Sequence, residues 1–179
     1  MGPKLQIGEL RKKLINIKLL ALDFDGIFTD GSVYVDQNGK ESVRCSRRDG
    51  LGFEMLRKAG VLACIISREP NPVVSARAKK LQLQCWQSIE TGQGKLGILK
   101  NHCQQEKISL NEVAYLGDDI NDLAIMKVVG LAITVPAAHH LVKKVAHHST
   151  NQEGGNGAIR EIIEELLTAK GFDLIRLVL

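Results

Sequence analysis

Short apolar runs alternate along the chain with segments that have the periodicity of amphipathic helices. Each apolar run has the length of a buried strand, and polar or glycine residues follow it. The predicted strands cover residues 19–22, 61–66, 83–86, 113–116 and 131–135, and the predicted helices cover 6–17, 51–59, 73–81, 96–105, 123–129, 139–145 and 158–169. Strands that alternate with helices favour an α/β fold with a doubly wound parallel sheet.

A β-hairpin is predicted directly after the first strand. Asn38-Gly39 lies between two β-prone runs, Ser32–Val35 and Lys40–Cys45. This dipeptide between such runs is typical of a tight hairpin turn. The sequence therefore places an antiparallel flap between the first strand, 19–22, and the helix predicted at 51–59.

Local signals suggest how several segments begin and end. Asp49 is a candidate cap for the helix that follows it, and Gly60 has the position of a glycine just past a helix end. Residues 91–94 are predicted to form a flexible loop that places Lys95 at the start of a helix. The apolar tail 172–179 is expected to pack on a neighbouring surface.

Composition limits the classes of function. The 179 residues, 44% of them hydrophobic, fit one globular domain spanning residues 1–179. The net charge of +4 comes from scattered Lys and Arg, so no nucleic-acid partner is expected. No apolar run approaches the roughly 18 residues of a membrane helix, and the N-terminus has no signal-peptide core.

Cysteine and histidine usage adds little chemistry. The four cysteines form no CxxC pair, which predicts structural thiols in a reducing, cytoplasmic setting. The five histidines have no metal-ligand spacing. The adjacent pairs at 139–140 and 147–148 are expected to be surface residues.

Polar residues follow three of the predicted strands, and one lysine begins a helix between them. In a parallel sheet the carboxyl ends of the strands meet at one edge, so these side chains can form one site. The candidates are Asp23 and Asp25 after the first strand, Ser67 after the second, Lys95 at the helix start, and Asp118 and Asp122 after the fourth strand.

Several carboxylates at one place repel each other unless a cation or a shared proton intervenes. Their hard oxygen atoms favour Mg²⁺, whose open positions phosphate oxygens commonly fill. Asp23 would then attack phosphorus and form an aspartyl-phosphate, while Asp25 would protonate the leaving oxygen and later activate water. Lys95 and the Ser67 hydroxyl would bind the phosphate.

Each residue alone has an ordinary explanation. The two aspartates suit a turn, Ser67 suits a turn hydroxyl and Lys95 suits a surface lysine. The phosphatase hypothesis rests on their joint occurrence, in this order, at strand ends and a helix start.

The same residues resemble a known group of enzymes. Asp23-Phe24-Asp25-Gly26, Ser67, Lys95 and residues 117–122 look like the four motifs of the haloacid-dehalogenase superfamily of phosphatases. More narrowly, Thr29-Asp30-Gly31, Arg48-Asp49-Gly50 and the segments 113–119 and 154–161 resemble the 3-deoxy-D-manno-octulosonate 8-phosphate (KDO 8-phosphate) phosphatase family. This resemblance covers residues 15 to 170.

The resemblance implies a Rossmann-like core with a β-hairpin flap and no large cap domain. It also implies a homotetramer in which the hairpins assemble around the central axis and a neighbouring subunit helps to cover the active site. By position, Asp23, the Asp25 main-chain carbonyl and Asp118 would hold Mg²⁺, with Asp122 in support. The substrate-binding positions that it implies are Arg48, Glu69 and Arg77. The glycine-rich segment 154–157 is expected to reach towards an active site.

The segment after the second strand departs from the family pattern. The family usually has Thr-Gly-Arg there, whereas this chain has Ser67-Arg68-Glu69. The stretch 66–74 looks closer to phosphatases of nonulosonate 9-phosphates and to modules joined to acylneuraminate cytidylyltransferases. The loop 88–94 before Lys95 is also longer than the family's.

The leading hypothesis is a Mg²⁺-dependent KDO 8-phosphate phosphatase of lipopolysaccharide or surface-glycan synthesis. The alternatives are a phosphatase of nonulosonate (sialic-acid-like) 9-phosphates and a non-catalytic module that works with an acylneuraminate cytidylyltransferase. A receiver-type phosphoryl acceptor is disfavoured by the Asp-x-Asp after the first strand.

Overall fold

The protein is described by a computed structural model that covers residues 5–179. A six-stranded sheet forms its centre, and a separate two-stranded hairpin projects from it. In chain order the elements are α1 (Ile7–Asn16), β1 (Leu19–Leu22), β2 (Tyr34–Val35), β3 (Glu41–Ser42), α2 (Arg48–Lys58), β4 (Leu62–Ile66), α3 (Val73–Leu81), β5 (Gln84–Trp86), α4 (Gly92–Glu106), β6 (Val113–Leu116), α5 (Leu123–Met126), β7 (Leu131–Thr134), α6 (His140–Val145), β8 (His148–Ser149) and α7 (Ala158–Ala169).

The main sheet is parallel throughout and has the strand order β5-β4-β1-β6-β7-β8. Strand β1 is therefore central, hydrogen-bonded to β4 on one side and β6 on the other. Helix α7 packs on α1 and α2, and helix α5 packs on α4 and α6. The predicted doubly wound α/β fold is confirmed.

Apolar burial explains why β1, β6 and β7 are nearly uninterrupted hydrophobic runs. Every residue of these three strands is buried. Strands covered on both faces lose the alternation of polar and apolar residues. The same packing leaves polar side chains only beyond the strand ends, where the chain leaves the core.

Most predicted bounds agree with the structure, but two helix starts differ. The Thr91 hydroxyl accepts a hydrogen bond from the Gly94 amide at 3.0 Å and caps α4, so residues 92–94 form its first turn. The prediction of a flexible loop there was wrong. Asp49 does not cap α2, because the cap is Arg47 and Asp49 lies buried in the first turn. The edge strand β8 was not predicted at all.

The hairpin β2–β3 stands between β1 and α2 as expected. Tyr34 and Val35 pair with Ser42 and Glu41, and the Asp36 carboxylate accepts hydrogen bonds from two turn amides. Both strands are exposed in this chain. No larger domain is inserted anywhere in residues 5–179, so the flap is this hairpin alone.

The C-terminal tail folds back on its own chain. The Phe172 amide donates to the Leu167 carbonyl at the end of α7, and Lys58 of α2 donates to the Leu177 carbonyl at 2.9 Å. Leu174 and Leu177 are half-buried, whereas Leu179 is exposed. The tail therefore rests on α2 and α7 of this chain.

All four thiols are free, and burial raises the pKa of Cys64. His147 and His148 are half-buried rather than surface residues: His147 Nδ1 accepts from the Ala132 amide, and His148 Nε2 lies 3.1 Å from a Glu165 oxygen. Among residues 5–179, no helix is long and apolar enough to cross a membrane.

Candidate active site

The carboxyl ends of β1, β4 and β6 surround a cleft of about 230 Å³. The residues that line it are Asp23, Asp25, Gly26, Gly31, Ser67, Arg68, Asp118, Asp119 and Asn121. Two further predicted residues, Lys95 and Asp122, are fully buried and in contact with Asp23 or with one another. The structure thus brings together six residues that lie far apart in the sequence.

Asp23 is held rigidly where β1 ends. Its amide extends the ladder by donating to the Leu116 carbonyl of β6, and its Oδ1 atom accepts from the Phe24 amide at 2.7 Å. The next residues leave the sheet through Gly26, whose φ of +71° favours glycine. The buried Thr29 hydroxyl accepts from the amides of Gly26 and Gly31 and closes this loop.

Lys95 links two carboxylates beneath the cleft. Its Nζ atom lies 2.9 Å from Asp23 Oδ1 and 2.9 Å from Asp122 Oδ1, and its side chain is completely buried. Burial alone would lower the pKa of Lys95, but the Asp23 and Asp122 carboxylates outweigh burial and raise it. Lys95 is therefore a buried ammonium with two anionic partners.

Asp122 has no acceptor position to spare. Its Oδ1 atom accepts from the Tyr115 hydroxyl at 2.7 Å as well as from Lys95. Its Oδ2 atom accepts from the amides of Asp118 and Asp119 at 3.1 and 3.3 Å. A carboxylate with these four donors is a fixed anion behind the cleft, which suits a supporting role better than direct metal ligation.

Asp118 occupies a space that only glycine leaves open. A Cβ atom at Gly26 would lie 2.0 Å from Asp118 Oδ2. Burial and the charges of Asp122 and Asp119 raise the pKa of Asp118 to about 7. Burial and then Asp122 also raise the pKa of Asp23, against the opposing effect of Lys95. Lys95 is one cation beside three carboxylates, so ionising Asp23, Asp118 and Asp122 together would leave a negative charge that Lys95 does not compensate.

These features fit a hard divalent cation. One oxygen each of Asp23, Asp118 and Asp122 lies within 4.8 Å of the others. Asn121 adds a buried side-chain oxygen that has no hydrogen-bond partner among the described residues. Carboxylate and amide oxygens are the ligands that Mg²⁺ prefers. Gly26 leaves the space that the Asp118 carboxylate occupies beside them.

Ser67 lines the cleft after β4, and Asp118 lines it after β6, so β1 lies between them. Glu69, predicted to bind substrate, is two residues further on and does not line the cleft of this chain. Ser67 is buried, and its hydroxyl accepts from the Glu69 amide at 3.1 Å. Glu69 Oε1 accepts from the Asn71 amide, and Asn71 in turn donates to Glu41 of the hairpin at 3.2 Å. Burial, followed by the charge of Glu69, raises the pKa of Asp25.

Arg48 and Arg77, both predicted to bind substrate, do not line the cleft of this chain. Arg77 donates to the Ser46 carbonyl and lies 3.7 Å from Asp49 Oδ2. Burial raises the pKa of Asp49 to about 6, although Arg77 opposes this shift. Arg48 is exposed and lies beside Gly157. A substrate contact from either arginine stays a prediction.

The glycine-rich segment packs against the loop of residues 24–31 that follows β1, the catalytic loop. The Gly155 amide donates to the Ile27 carbonyl at 3.0 Å, and a Cβ atom at Gly154 would lie 1.8 Å from the Gly26 carbonyl oxygen. One Arg44 nitrogen donates to Asn156 at 3.0 Å and also to Asp30 at 3.2 Å. The segment therefore supports the loop and ties it to the base of the hairpin.

Sequence reasoning gave no role in the site to Thr29, Arg68, Tyr115 or Asn121. Tyr115 offered a signal, because it is the one residue with a polar group in the predicted strand 113–116. A buried tyrosine hydroxyl needs a partner. Thr29 and Asn121 stand in segments that resemble family motifs. Polar residues are ordinary in turns, so neither position pointed to a particular role.

A family comparison agrees with this site. Residues 62–162 match the family of haloacid dehalogenase-like hydrolases. With the sheet order and the acid, hydroxyl, lysine and acid residues already described, this match defines the class: the chain belongs to the haloacid dehalogenase-like hydrolases.

Individual relatives narrow the class to the KDO 8-phosphate phosphatase family. The 3-deoxy-D-manno-octulosonate 8-phosphate phosphatase of Escherichia coli strain B / BL21-DE3 is 34% identical over 165 residues, which is 92% of this chain and 86% of that protein. The enzyme of the same name from Haemophilus influenzae is 31% identical over 90% of this chain and 89% of its own length. The resemblance inferred from the motifs, and with it an enzyme of the phosphomonoesterase class, is confirmed.

Solved structures of phosphatases with this name have the same fold as this chain. The Moraxella catarrhalis 3-deoxy-D-manno-octulosonate 8-phosphate phosphatase, in complex with magnesium ion, phosphate ion and KDO, superposes with a TM-score of 0.88. It is 34% identical, and the match covers 93% of this chain and 94% of that one. A cobalt-bound phosphatase of the same type from Haemophilus influenzae has a TM-score of 0.81 at 31% identity, covering 89% of this chain and 92% of its own.

Proposed function

We propose that this chain is a Mg²⁺-dependent phosphatase that hydrolyses KDO 8-phosphate to the free sugar acid and phosphate through an aspartyl-phosphate. The observation that carries the proposal is the pairing of Asp23 with the buried ammonium of Lys95 at the mouth of β1. The names of the relatives support the choice of substrate.

The hydrogen bonds of Asp23 leave one oxygen for chemistry. Oδ1 accepts from the Phe24 amide and pairs with Lys95, whereas no donor among the described residues contacts Oδ2. Oδ2 is therefore the nucleophilic atom in our proposal, and Oδ1 anchors the carboxylate at the required angle. Attack on phosphorus forms the bond from Asp23 Oδ2 to phosphorus, which gives an acyl phosphate, and breaks the bond between phosphorus and the sugar oxygen.

Asp25 is suited to move the proton. Burial, followed by the charge of Glu69, raises its pKa, which is the direction that a general acid needs. In our proposal Asp25 gives a proton to the leaving sugar oxygen. The resulting carboxylate then takes a proton from the water that hydrolyses the phosphoenzyme. The Ser67 hydroxyl and the Lys95 ammonium bind phosphoryl oxygens during both steps.

Asp23, Asp118 and the Asp25 main-chain carbonyl would hold Mg²⁺, with Asp122 behind them. The bound ion supplies neutralisation of the charge on the phosphoryl group. The carboxylates that outnumber Lys95 and the space that Gly26 leaves for Asp118 support this assignment.

Phosphate release from KDO 8-phosphate, a nonulosonate 9-phosphate and glucose 6-phosphate, each with Mg²⁺ and with EDTA, tests the proposal. We expect Mg²⁺-dependent release that is fastest with KDO 8-phosphate and absent in Asp23→Asn. The exposed Asp173→Asn is the matched control and should keep full activity. Mg²⁺-dependent hydrolysis that survives in Asp23→Asn would show that another residue is the nucleophile.

A nonulosonate 9-phosphate is the second candidate substrate. The specific observation is Glu69, which stands where the family usually has arginine and whose charge acts on Asp25. A carboxylate there can accept hydrogen bonds from substrate hydroxyl or amino groups. Preference for the 9-phosphate, reversed by Glu69→Arg, would establish this reading. No release from any substrate by folded, metal-bound protein would favour the non-catalytic module.

The assembly in our proposal is a homotetramer built around the hairpins, acting in lipopolysaccharide or surface-glycan synthesis in the cytoplasm. Val33, Tyr34 and Val35 support it, because their side chains are 48%, 65% and 59% exposed. Such a run on a short hairpin is typical of a contact surface. Light scattering should give four times the chain mass, and Val35→Lys should lower it.

A further inference from the structure

The tyrosine hydroxyl at the end of β6 has one partner, and that partner belongs to the site. The Tyr115 ring is completely buried among core residues, and its hydroxyl donates to Asp122 Oδ1 at 2.7 Å. Lys95 donates to the same oxygen at 2.9 Å and lies at the same distance from Asp23. A continuous chain of contacts therefore runs from Tyr115 through Asp122 and Lys95 to the nucleophile.

The geometry shows what the hydroxyl adds. The amides of Asp118 and Asp119 fix the Oδ2 end of the Asp122 carboxylate. At the other end, Oδ1 would have Lys95 alone if the hydroxyl were absent, and Lys95 is on a long, flexible stem. The rigid phenol, locked in the core, is the donor that fixes the position of Oδ1.

Gly117 gives an independent sign that this contact is built into the fold. A Cβ atom at Gly117 would lie 2.8 Å from Tyr115 Cε1 and 2.5 Å from Asp122 Oδ2. The φ of this glycine is not in the left-handed region, so the backbone conformation alone does not require it. The missing side chain instead leaves room for the ring and the carboxylate to meet.

We propose that Tyr115 is a positioning residue for the phosphatase reaction. Its hydroxyl holds Asp122 Oδ1 and takes up part of its negative charge, so that Lys95 stays shared between Asp122 and Asp23. Without the hydroxyl, Lys95 moves towards Asp122, and Asp23 loses the cation that orients it. This inference rests on the proposed function of the same site.

Tyr115→Phe tests it, because the variant removes one oxygen and keeps the ring. We expect kcat to fall about tenfold, equivalent to about 1.4 kcal/mol, with KM within about twofold of the original value. Thr150→Val is the matched control: it removes a buried hydroxyl that donates to the Gln152 carbonyl and has no contact with Lys95. Its kcat should not change.

A second readout does not depend on turnover. With ¹⁵N-labelled lysine, the Lys95 ammonium resonance should shift in Tyr115→Phe and stay in place in Thr150→Val. In a Tyr34→Phe background Tyr115 is the one remaining tyrosine, so 3-fluorotyrosine incorporation replaces it alone. The fluorinated ring keeps the hydroxyl and makes it a stronger donor, so the resonance should shift the opposite way. This second substitution keeps the test available if Tyr115→Phe does not fold.

The outcomes separate the two proposals. An unchanged kcat together with an unchanged Lys95 resonance would overturn the positioning role, even if Tyr115→Phe were less stable. A fall in kcat equal to that of Thr150→Val would overturn it as well. If the unaltered protein hydrolyses no phosphate ester, the proposed function fails, and the ammonium resonance alone decides whether Tyr115 positions Lys95.

Discussion

Replacing Lys95 by methionine is the sharpest test of the electrostatics of the site. The variant keeps an unbranched side chain of similar length in a position with no solvent exposure, and it removes the positive charge. Asp23 and Asp122 then face each other without the ammonium that lies 2.9 Å from each of them. Two buried carboxylates without a cation are strongly unfavourable.

The distances set the scale of the effect. At 2.9 Å and an effective dielectric constant of about 20, each charge pair contributes about 6 kcal/mol of Coulomb attraction. Dehydration of the three charged groups cancels most of this sum. Removing one partner of a buried ion pair typically costs about 3–5 kcal/mol. We expect a loss of that size, which is a large share of the 5–15 kcal/mol by which domains are usually stable.

Urea denaturation at pH 7.5 in EDTA measures this loss without interference from a bound metal. Lys100→Met is the matched control, because Lys100 lies on the same helix α4 and is exposed. Its unfolding free energy should stay within about 0.5 kcal/mol of the unaltered protein. If Lys95→Met is also within 1 kcal/mol, the buried ion pairs do not stabilise the fold and our account of the site is wrong.

Three further substitutions probe the surroundings. Gly26→Ala should abolish most Mg²⁺-dependent activity and weaken Mg²⁺ binding in calorimetry, because its Cβ atom would displace Asp118. Retained Mg²⁺ binding would show that Asp118 does not need the space beside Gly26. Gly154→Ala should lower kcat by pushing the catalytic loop from behind, and an unchanged kcat would show that the loop adjusts freely. The pKa of Asp49 is about 6 in the fold, above its usual 3.8, so its contribution to stability is full below pH 4 and is lost as the pH rises through 6. Asp49→Asn should therefore flatten the decline in urea stability between pH 4 and 7 by about 2–3 kcal/mol, and an unchanged pH profile would refute the shift.

The parts of the fold that hydrophobic burial dictates were predictable from the sequence. The fully buried strands β1 and β6, and the helices α3 and α7, lie where the apolar pattern placed them. The short edge strand β8 was missed, because a two-residue strand has no periodicity to detect. The first turn of α4 was missed because Gly92 and Gly94 outweighed the cap at Thr91.

The part of the site that depends only on the order and direction of the strands was predictable from the sequence. Strand ends in a parallel sheet meet at one edge, so Asp23, Ser67 and Asp118 could be placed together without coordinates. The burial of Lys95 and the fully occupied oxygens of Asp122 depend on packing from α4 and β6, which spacing along the chain does not encode. Packing also decided that Asp49 is a buried partner of Arg77 and not a helix cap.

The contact between the glycine-rich segment and the catalytic loop has a consequence for the order of assembly. Strand β1 and its aspartates are synthesised before the rest of the site, yet β1 pairs with β6, about 95 residues later, and the loop after it rests on Gly154 and Gly155. A nascent or truncated chain that ends before this segment has the nucleophile without the backbone that holds it in place. The first catalytic residue to be synthesised is therefore among the last to become competent, and incomplete chains remain inactive.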